Sequence, residues 1–231
     1  MLASVVFGLM GGEPIRKPVR KQNTVLSDSI NTSVLISQDF IKEGSEEMIY
    51  IDAKRVIETR IAKSMGVDKY KQIMEIIRNT DVSSDSEFQR TFNAFYRVRR
   101  NAEWRKAYYD LFEEVKSGTP SFEYIIRTMY EATGNIEASF SSKMLATINA
   151  DMPIWDRYVV HNLGLNIKGR SKEEQLKCAA DLYDQIVGWY EIFLKTENGR
   201  DCIEEFDLTL PGYAWMSDVK KVDFYLWSMR D

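Results

Sequence analysis

Apolar residues recur every three or four positions from Met48 almost to the end of the chain. In "IYIDAKRVIETRIAKSM", Ile51, Val56, Ile57, Ile61 and Met65 keep close to a 3.6-residue period, and in "DKYKQIMEIIRNT" Tyr70, Ile73, Ile76 and Ile77 do the same. That spacing gathers apolar side chains on one face and predicts amphipathic helices. The stretch from Ser83 to Gly118 opens on Ser/Asp cap residues and closes on glycine. It is long for one helix, and a break is predicted near Arg100–Asn101. "TPSFEYIIRTMYEATG" carries Pro120 just inside its start and Gly134 just past its end, the asymmetry of a helix that begins and stops there. Further helices are predicted over Ala138–Ile148 and Ile154–Leu163, the second closed by Gly164. A long one follows in "SKEEQLKCAADLYDQIVGWYEIFLKTEN", a short one in "RDCIEEFDLTL" and a last one in "SDVKKVDFYLWSMR". No period-2 run interrupts them, so the expected class is all-α, a compact array of roughly eight to ten helices over residues 48–231.

Residues 1–47 lack this rhythm. "GGEPIRKPVRKQNTVLSDSINTS" mixes Gly, Pro, basic and small polar residues, which predicts an irregular N-terminal extension. The opening "MLASVVFGLMGG" is apolar for too few residues to span a bilayer. It also lacks the basic residues that precede the apolar core of a signal peptide. No association with a membrane is expected, and a cytoplasmic location is.

Composition narrows the chemistry. With 44% hydrophobic and 29% charged residues in 231, the chain can bury a sizeable core. A net charge of −4 argues against wholesale coating of nucleic acid, but a local basic groove depends on where the charges sit. Cys178 and Cys202 make neither a disulfide framework nor a four-ligand zinc site, and both read as reduced helix residues. The single histidine, His161, sits within a helical pattern and makes a Ser–His–Asp or Cys–His arrangement depend on one residue. No glycine-rich phosphate loop, HExxH or EF-hand pattern occurs, so no cofactor and no metal are expected. A lysine activated by its surroundings remains as the means of covalent chemistry.

The stretch "SFSSKMLATINADMPIWDRYVVHNLGL", Ser139–Leu165, contains such a lysine. Lys143 lies near the start of one helix; "NADMP" makes a tight connection; Asp156 falls in the first turn of the next helix, where the backbone dipole favours a carboxylate. Read from the residues alone, the pair is either a catalytic couple or a solvated lysine beside a capping aspartate. "SFSSK…MPIWD" resembles the nucleophile region of the helix–hairpin–helix DNA glycosylases, in the 8-oxoguanine glycosylase-like branch. There a short hairpin leads to a lysine, an apolar helix and a proline–aspartate element. The resemblance implies that Lys143 attacks the sugar carbon to form a Schiff base, and that Asp156 supports base loss, after the base is flipped into a helical pocket. Ser139, Ser141 and Ser142 occupy the hairpin's place, where the resemblance implies contact with the DNA backbone, although serines replace its glycines. The separation of Lys143 and Asp156, 13 residues, is shorter than the family's.

One segment reverses the acidic balance. "RTFNAFYRVRRNAEWRK", Arg90–Lys106, holds six basic residues and one acid, Glu103, with Phe92, Phe95, Tyr96 and Trp104 between them. Arg90, Arg97, Arg99 and Arg100 are the candidates for contact with phosphates or, alternatively, for salt bridges to carboxylates elsewhere, while Phe88, Phe92, Phe95 and Tyr96 keep core spacing. Near the end, Val219, Val222, Phe224, Leu226 and Trp227 are expected to dock, with Lys220 and Lys221 in water; Gly188 is expected to mark a close helix crossing. Two functions follow as expectations. One is a DNA glycosylase/AP lyase acting through Lys143 and Asp156. The other is a non-catalytic helical module that binds nucleic acid or a protein partner.

Overall fold

The computed structural model describes residues 49–229, and the predicted irregular extension lies outside them. The described residues form ten α-helices and no strand. They are α1 (Ala53–Val56, continued by a π turn over Ile57–Ile61), α2 (Gly66–Ile76), α3 (Ser86–Tyr96), α4 (Ala102–Val115) and α5 (Phe122–Thr133). Then come α6 (Ala138–Ile148), α7 (Arg157–Asn162), α8 (Lys172–Phe193), α9 (Glu197–Thr209) and α10 (Asp218–Ser228). The all-α class follows from the sequence rhythm, and none of these helices is long and apolar enough to cross a membrane.

Polar caps set most of the starts. Asp85 accepts from the amides of Glu87 and Phe88, Asn101 from that of Trp104, Ser121 from that of Tyr124 and Thr196 from that of Gly199. Ser171 and Glu174 form a reciprocal capping box at the head of α8. Each side chain satisfies an amide that has no partner within its own helix. The predicted break between α3 and α4 begins at Arg97, which takes a left-handed conformation (φ 54°), the one non-glycine residue with positive φ among those described. The amide of Val98 then turns back to the carbonyl of Asn93, closing α3 in the manner usual for a glycine.

An aromatic core joins these helices. Phe88, Phe92, Tyr96, Tyr108, Tyr109 and Phe112 are buried between α3 and α4, and Phe92 packs against all five others. Phe95 carries the stack on to Tyr70 of α2 and to Phe224 and Trp227 of α10. Pairs of this kind add about 0.5–1.5 kcal/mol each beyond the area they bury. Trp189 and Tyr190 are core residues.

Three expectations are corrected. Lys220 and Lys221 are 1% and 3% exposed instead of wet, because each finds carboxylates at ion-pair distance. Lys220 meets Asp223 at 2.7 Å and Lys221 meets Asp207 at 2.9 Å. Asp223 also accepts from the Tyr190 hydroxyl, and the Lys220 ammonium stands over the Tyr70 ring. Gly188 has open space where a side chain would go; the close approach belongs to Gly199, whose added Cβ would run into the Phe193 carbonyl oxygen. Met65, counted with an apolar face, is exposed because the helix has ended before it.

Candidate functional site

Lys143 stands in the middle of α6, half-buried. Its ammonium donates to the main-chain carbonyl of Tyr96 at 3.4 Å and lies 4.7 Å from the centre of the Phe140 ring, one turn before it on α6. Both partners suit a cation. The Tyr96 carbonyl belongs to the last turn of α3, where the left-handed turn at Arg97 leaves it without a helical amide and where the helix dipole is negative. The Phe140 face carries the negative part of the ring quadrupole. Tyr96 is tied to α6 a second time. The Thr147 hydroxyl donates to the Lys143 carbonyl, so the Tyr96 hydroxyl, 3.2 Å away, is the donor to Thr147. Burial holds that phenol far above its ordinary pKa, so it remains a neutral donor.

Arg100 shares the Phe140 ring. Its guanidinium carbon is 5.2 Å from the ring centre and 5.5 Å from that of Trp104. It donates to Glu137 at 2.7 Å, and the Trp104 indole donates to the other oxygen of the same buried carboxylate at 3.1 Å. Glu137 precedes α6 directly, so the start of α6 is anchored to the start of α4. Two cations therefore converge on one aromatic ring, and Arg100 is paired with Glu137.

Asp156 is the N-cap of α7. Its Oδ1 accepts from the Tyr158 amide at 2.7 Å and the residue is 3% exposed. The second helix begins at Arg157, three residues later than the rhythm suggested, because residues 153–155 take no helical structure. This segment is pinned from two sides. The Ser142 hydroxyl accepts from the Trp155 amide at 2.8 Å and donates to the Ser139 carbonyl at 3.0 Å. The Tyr183 hydroxyl donates to the Pro153 carbonyl at 2.7 Å. Trp155 stacks on Phe122, and Phe122 on Tyr183 with ring centres 4.0 Å apart. The residue before Lys143 thus holds the residue before Asp156, and the two segments share one place in the fold.

The remaining candidates divide. Ser139, Ser141 and Ser142 lie inside α6 and form no hairpin; Ser141 and Ser142 are fully buried, so their hydroxyls face the core and present nothing to a phosphate. Arg97 and Arg99 are exposed on the α3–α4 connection, Arg100 is held by Glu137, and Arg90 lies farther back on α3 in a separate cleft with Arg105 and Lys106. Glu137 and Phe140, the residues that organise the Lys143 environment, did not stand out in the sequence; the i,i+3 spacing of Phe140 and Lys143 was the available signal.

A larger cleft of about 670 Å³ opens at the far end of α6, floored by Leu145, Ile148 and Phe122 and edged by Arg78, Glu123 and Asp184. Burial, then the nearby Asp181 and Glu123 charges, raise the Asp184 carboxyl above its usual range. Lys143 and Asp156 are not among its lining residues. No cluster of three or more potential metal ligands occurs among the described residues.

Fold and site together describe an all-α protein in which a half-buried lysine and a buried capping aspartate stand on segments clamped to one another. No family model matches the chain, and no curated protein or solved structure does either.

Proposed function

We propose that this chain binds DNA along its Arg97–Arg100 surface and acts on it through Lys143 and Asp156, with lysine–carboxylate chemistry of the DNA glycosylase kind. The carrying observation is the Ser142–Trp155 hydrogen bond, which ties the Asp156 segment to the Lys143 helix. In this reading the Lys143 amine bonds to the sugar C1′ as the bond from C1′ to the base breaks, one amine proton leaving with the base; the C1′–O4′ bond then opens, O4′ takes the second proton, and the Schiff base that borohydride reduces is left. Asp156, held at the dipole-favoured start of α7, stabilises the positive charge that develops on the sugar. Arg97 and Arg99 supply exposed charge for the phosphate backbone. The test is to incubate the protein with a panel of lesion-bearing and abasic duplexes in the presence of borohydride. A covalent adduct that Lys143→Gln abolishes is expected. No adduct on any duplex, or one undiminished by Lys143→Gln, refutes the reading.

A second reading has its own observation. Lys143 already has a carbonyl and a ring face as partners, and Asp156 already caps a helix, as in a purely structural pair. The protein would then be a binding module for nucleic acid or another protein. It predicts salt-dependent duplex binding that survives Lys143→Gln and is lost in Arg97→Gln/Arg99→Gln, with no trapped adduct.

A further inference from the structure

A second basic cleft, of about 530 Å³, lies between α3 and α4. On α3 it is lined by Ser86, Gln89, Arg90 and Asn93, of which Ser86, Arg90 and Asn93 at i, i+4 and i+7 share one helix face, with Ser83 just ahead of the helix. On α4 it is lined by Ala102, Arg105 and Lys106, again one face. No carboxylate lines it. Lys106 is engaged with Asp110 at 2.5 Å, but Arg90 and Arg105 have no ion pair or side-chain hydrogen bond among the described residues. Asp85 is already occupied by the Phe88 amide, the Thr80 hydroxyl and the Glu87 amide, which with a lesser contribution from the Arg90 charge hold its carboxyl below the usual carboxylate range. Asn93 accepts the Tyr109 hydroxyl through its Oδ1, which leaves its NH₂ group to donate. The cleft therefore presents two guanidinium groups with no ion pair of their own, one from each helix, together with neutral donors from Asn93 and Ser86. α3 and α4 both begin at its edge, since Ser86 and Ala102 are their first residues.

We propose that this cleft binds a phosphate group. A planar carboxylate is satisfied by one guanidinium fork, whereas donors placed on two helices match the several oxygens of a tetrahedral anion. Arg90 and Arg105 hold the charge, and Asn93 and Ser86 orient the remaining oxygens. The site stands apart from Lys143 and does not depend on its chemistry. The phosphate belongs either to a nucleic-acid strand or to a free phosphate or phosphomonoester.

Two measurements on the full chain separate these sources. The first is titration with inorganic phosphate at low salt, by calorimetry or ³¹P line width. The second is binding of a short labelled duplex across a salt series. Arg90→Gln/Arg105→Gln is expected to weaken phosphate at least about tenfold, the loss of one or more charge-assisted hydrogen bonds. If a strand supplies the phosphate, the log–log salt slope for the duplex also falls by roughly 1.8, from two contacts of about 0.9 each. If phosphate weakens and the duplex slope is unchanged, the small molecule is the source, and the site stands. Arg90 is exposed, so Arg90→Gln alone keeps the test open should the double variant lose its helical circular dichroism. Lys172→Gln/Lys195→Gln controls for net charge. An equal loss in that control, an unchanged phosphate affinity, or no phosphate binding by the unaltered chain overturns the proposal. Borohydride trapping plays no part in these readouts, so either proposal can fail while the other holds.

Discussion

Ser141 and Ser142 are adjacent on α6 and both fully buried, yet alanine at the two positions should move stability in opposite directions. The Ser141 hydroxyl has no hydrogen-bond partner among the described residues. A buried hydroxyl without a partner costs roughly 1–3 kcal/mol in proteins. Ser141→Ala removes that penalty and adds a few tenths of a kcal/mol, at most about 0.5, of helix propensity. After allowance for the contacts of the lost atom, a gain of about 1–2 kcal/mol is expected. Ser142→Ala receives the same propensity gain but takes the acceptor from the Trp155 amide, at 2.8 Å, and the donor from the Ser139 carbonyl. Stranding a buried partner costs about 1–3 kcal/mol, which leaves a net loss of about 1–2 kcal/mol. The two variants should therefore differ by about 2–4 kcal/mol, or roughly 4–16 °C in Tm for a chain of this size. Urea and thermal unfolding by circular dichroism give the difference, and Trp155 fluorescence reports whether its segment has come loose. Shifts in the same direction, or a gap below about 0.5 kcal/mol, would show that the hydrogen-bond assignment at this clamp is wrong.

The buried network on α10 gives a second prediction. Asp223→Ala strands the Lys220 ammonium and the Tyr190 hydroxyl and should cost about 3–5 kcal/mol, whereas Lys220→Met/Asp223→Leu/Tyr190→Phe, which removes all three polar groups together, should come within about 1 kcal/mol of the unaltered chain in urea unfolding. Equal losses in the two variants would contradict the ion-pair account. Glycine supplies the third. Gly199→Ala should cost about 3 kcal/mol, because the new Cβ meets the Phe193 carbonyl, while Gly188→Ala should be neutral or stabilise by up to about 1 kcal/mol. Thermal unfolding of the pair checks both, and a reversed order would refute the packing described here.

How far the sequence reached varies by residue. The core positions Phe88, Phe92, Phe95 and Tyr96 were legible because helical spacing alone puts them on one face, and the structure buries all four. The α6 boundaries were legible from the same rhythm. The end of α3 was less so: a break near Arg100–Asn101 was expected, and the chain turns at Arg97, where an arginine takes a conformation that glycine usually marks. The burial of Lys220 was not legible: Asp223 is only three residues on, but the Tyr190 hydroxyl that Asp223 also accepts lies on α8 and the Tyr70 ring beneath the ammonium lies on α2, and no local pattern announces that they meet inside a core. At the candidate site, Lys143 and Asp156 could be picked out by residue type. The clamp that joins their segments could not, since a serine inside a helix gives no sign of the amide it will hold.

The sequence by itself determined the helical class, the apolar faces and most of the helix starts, because these depend on periodicity and on caps a few residues away. Tertiary structure alone decided that Ser141 and Ser142 turn inward, that Arg100 is held by Glu137 beside Lys143, and that Arg90 and Arg105 share a cleft without a carboxylate. Each of those outcomes depends on which helix faces which. That choice is made by burying the aromatic core between α3, α4 and α10, a long-range packing solution that local spacing does not encode.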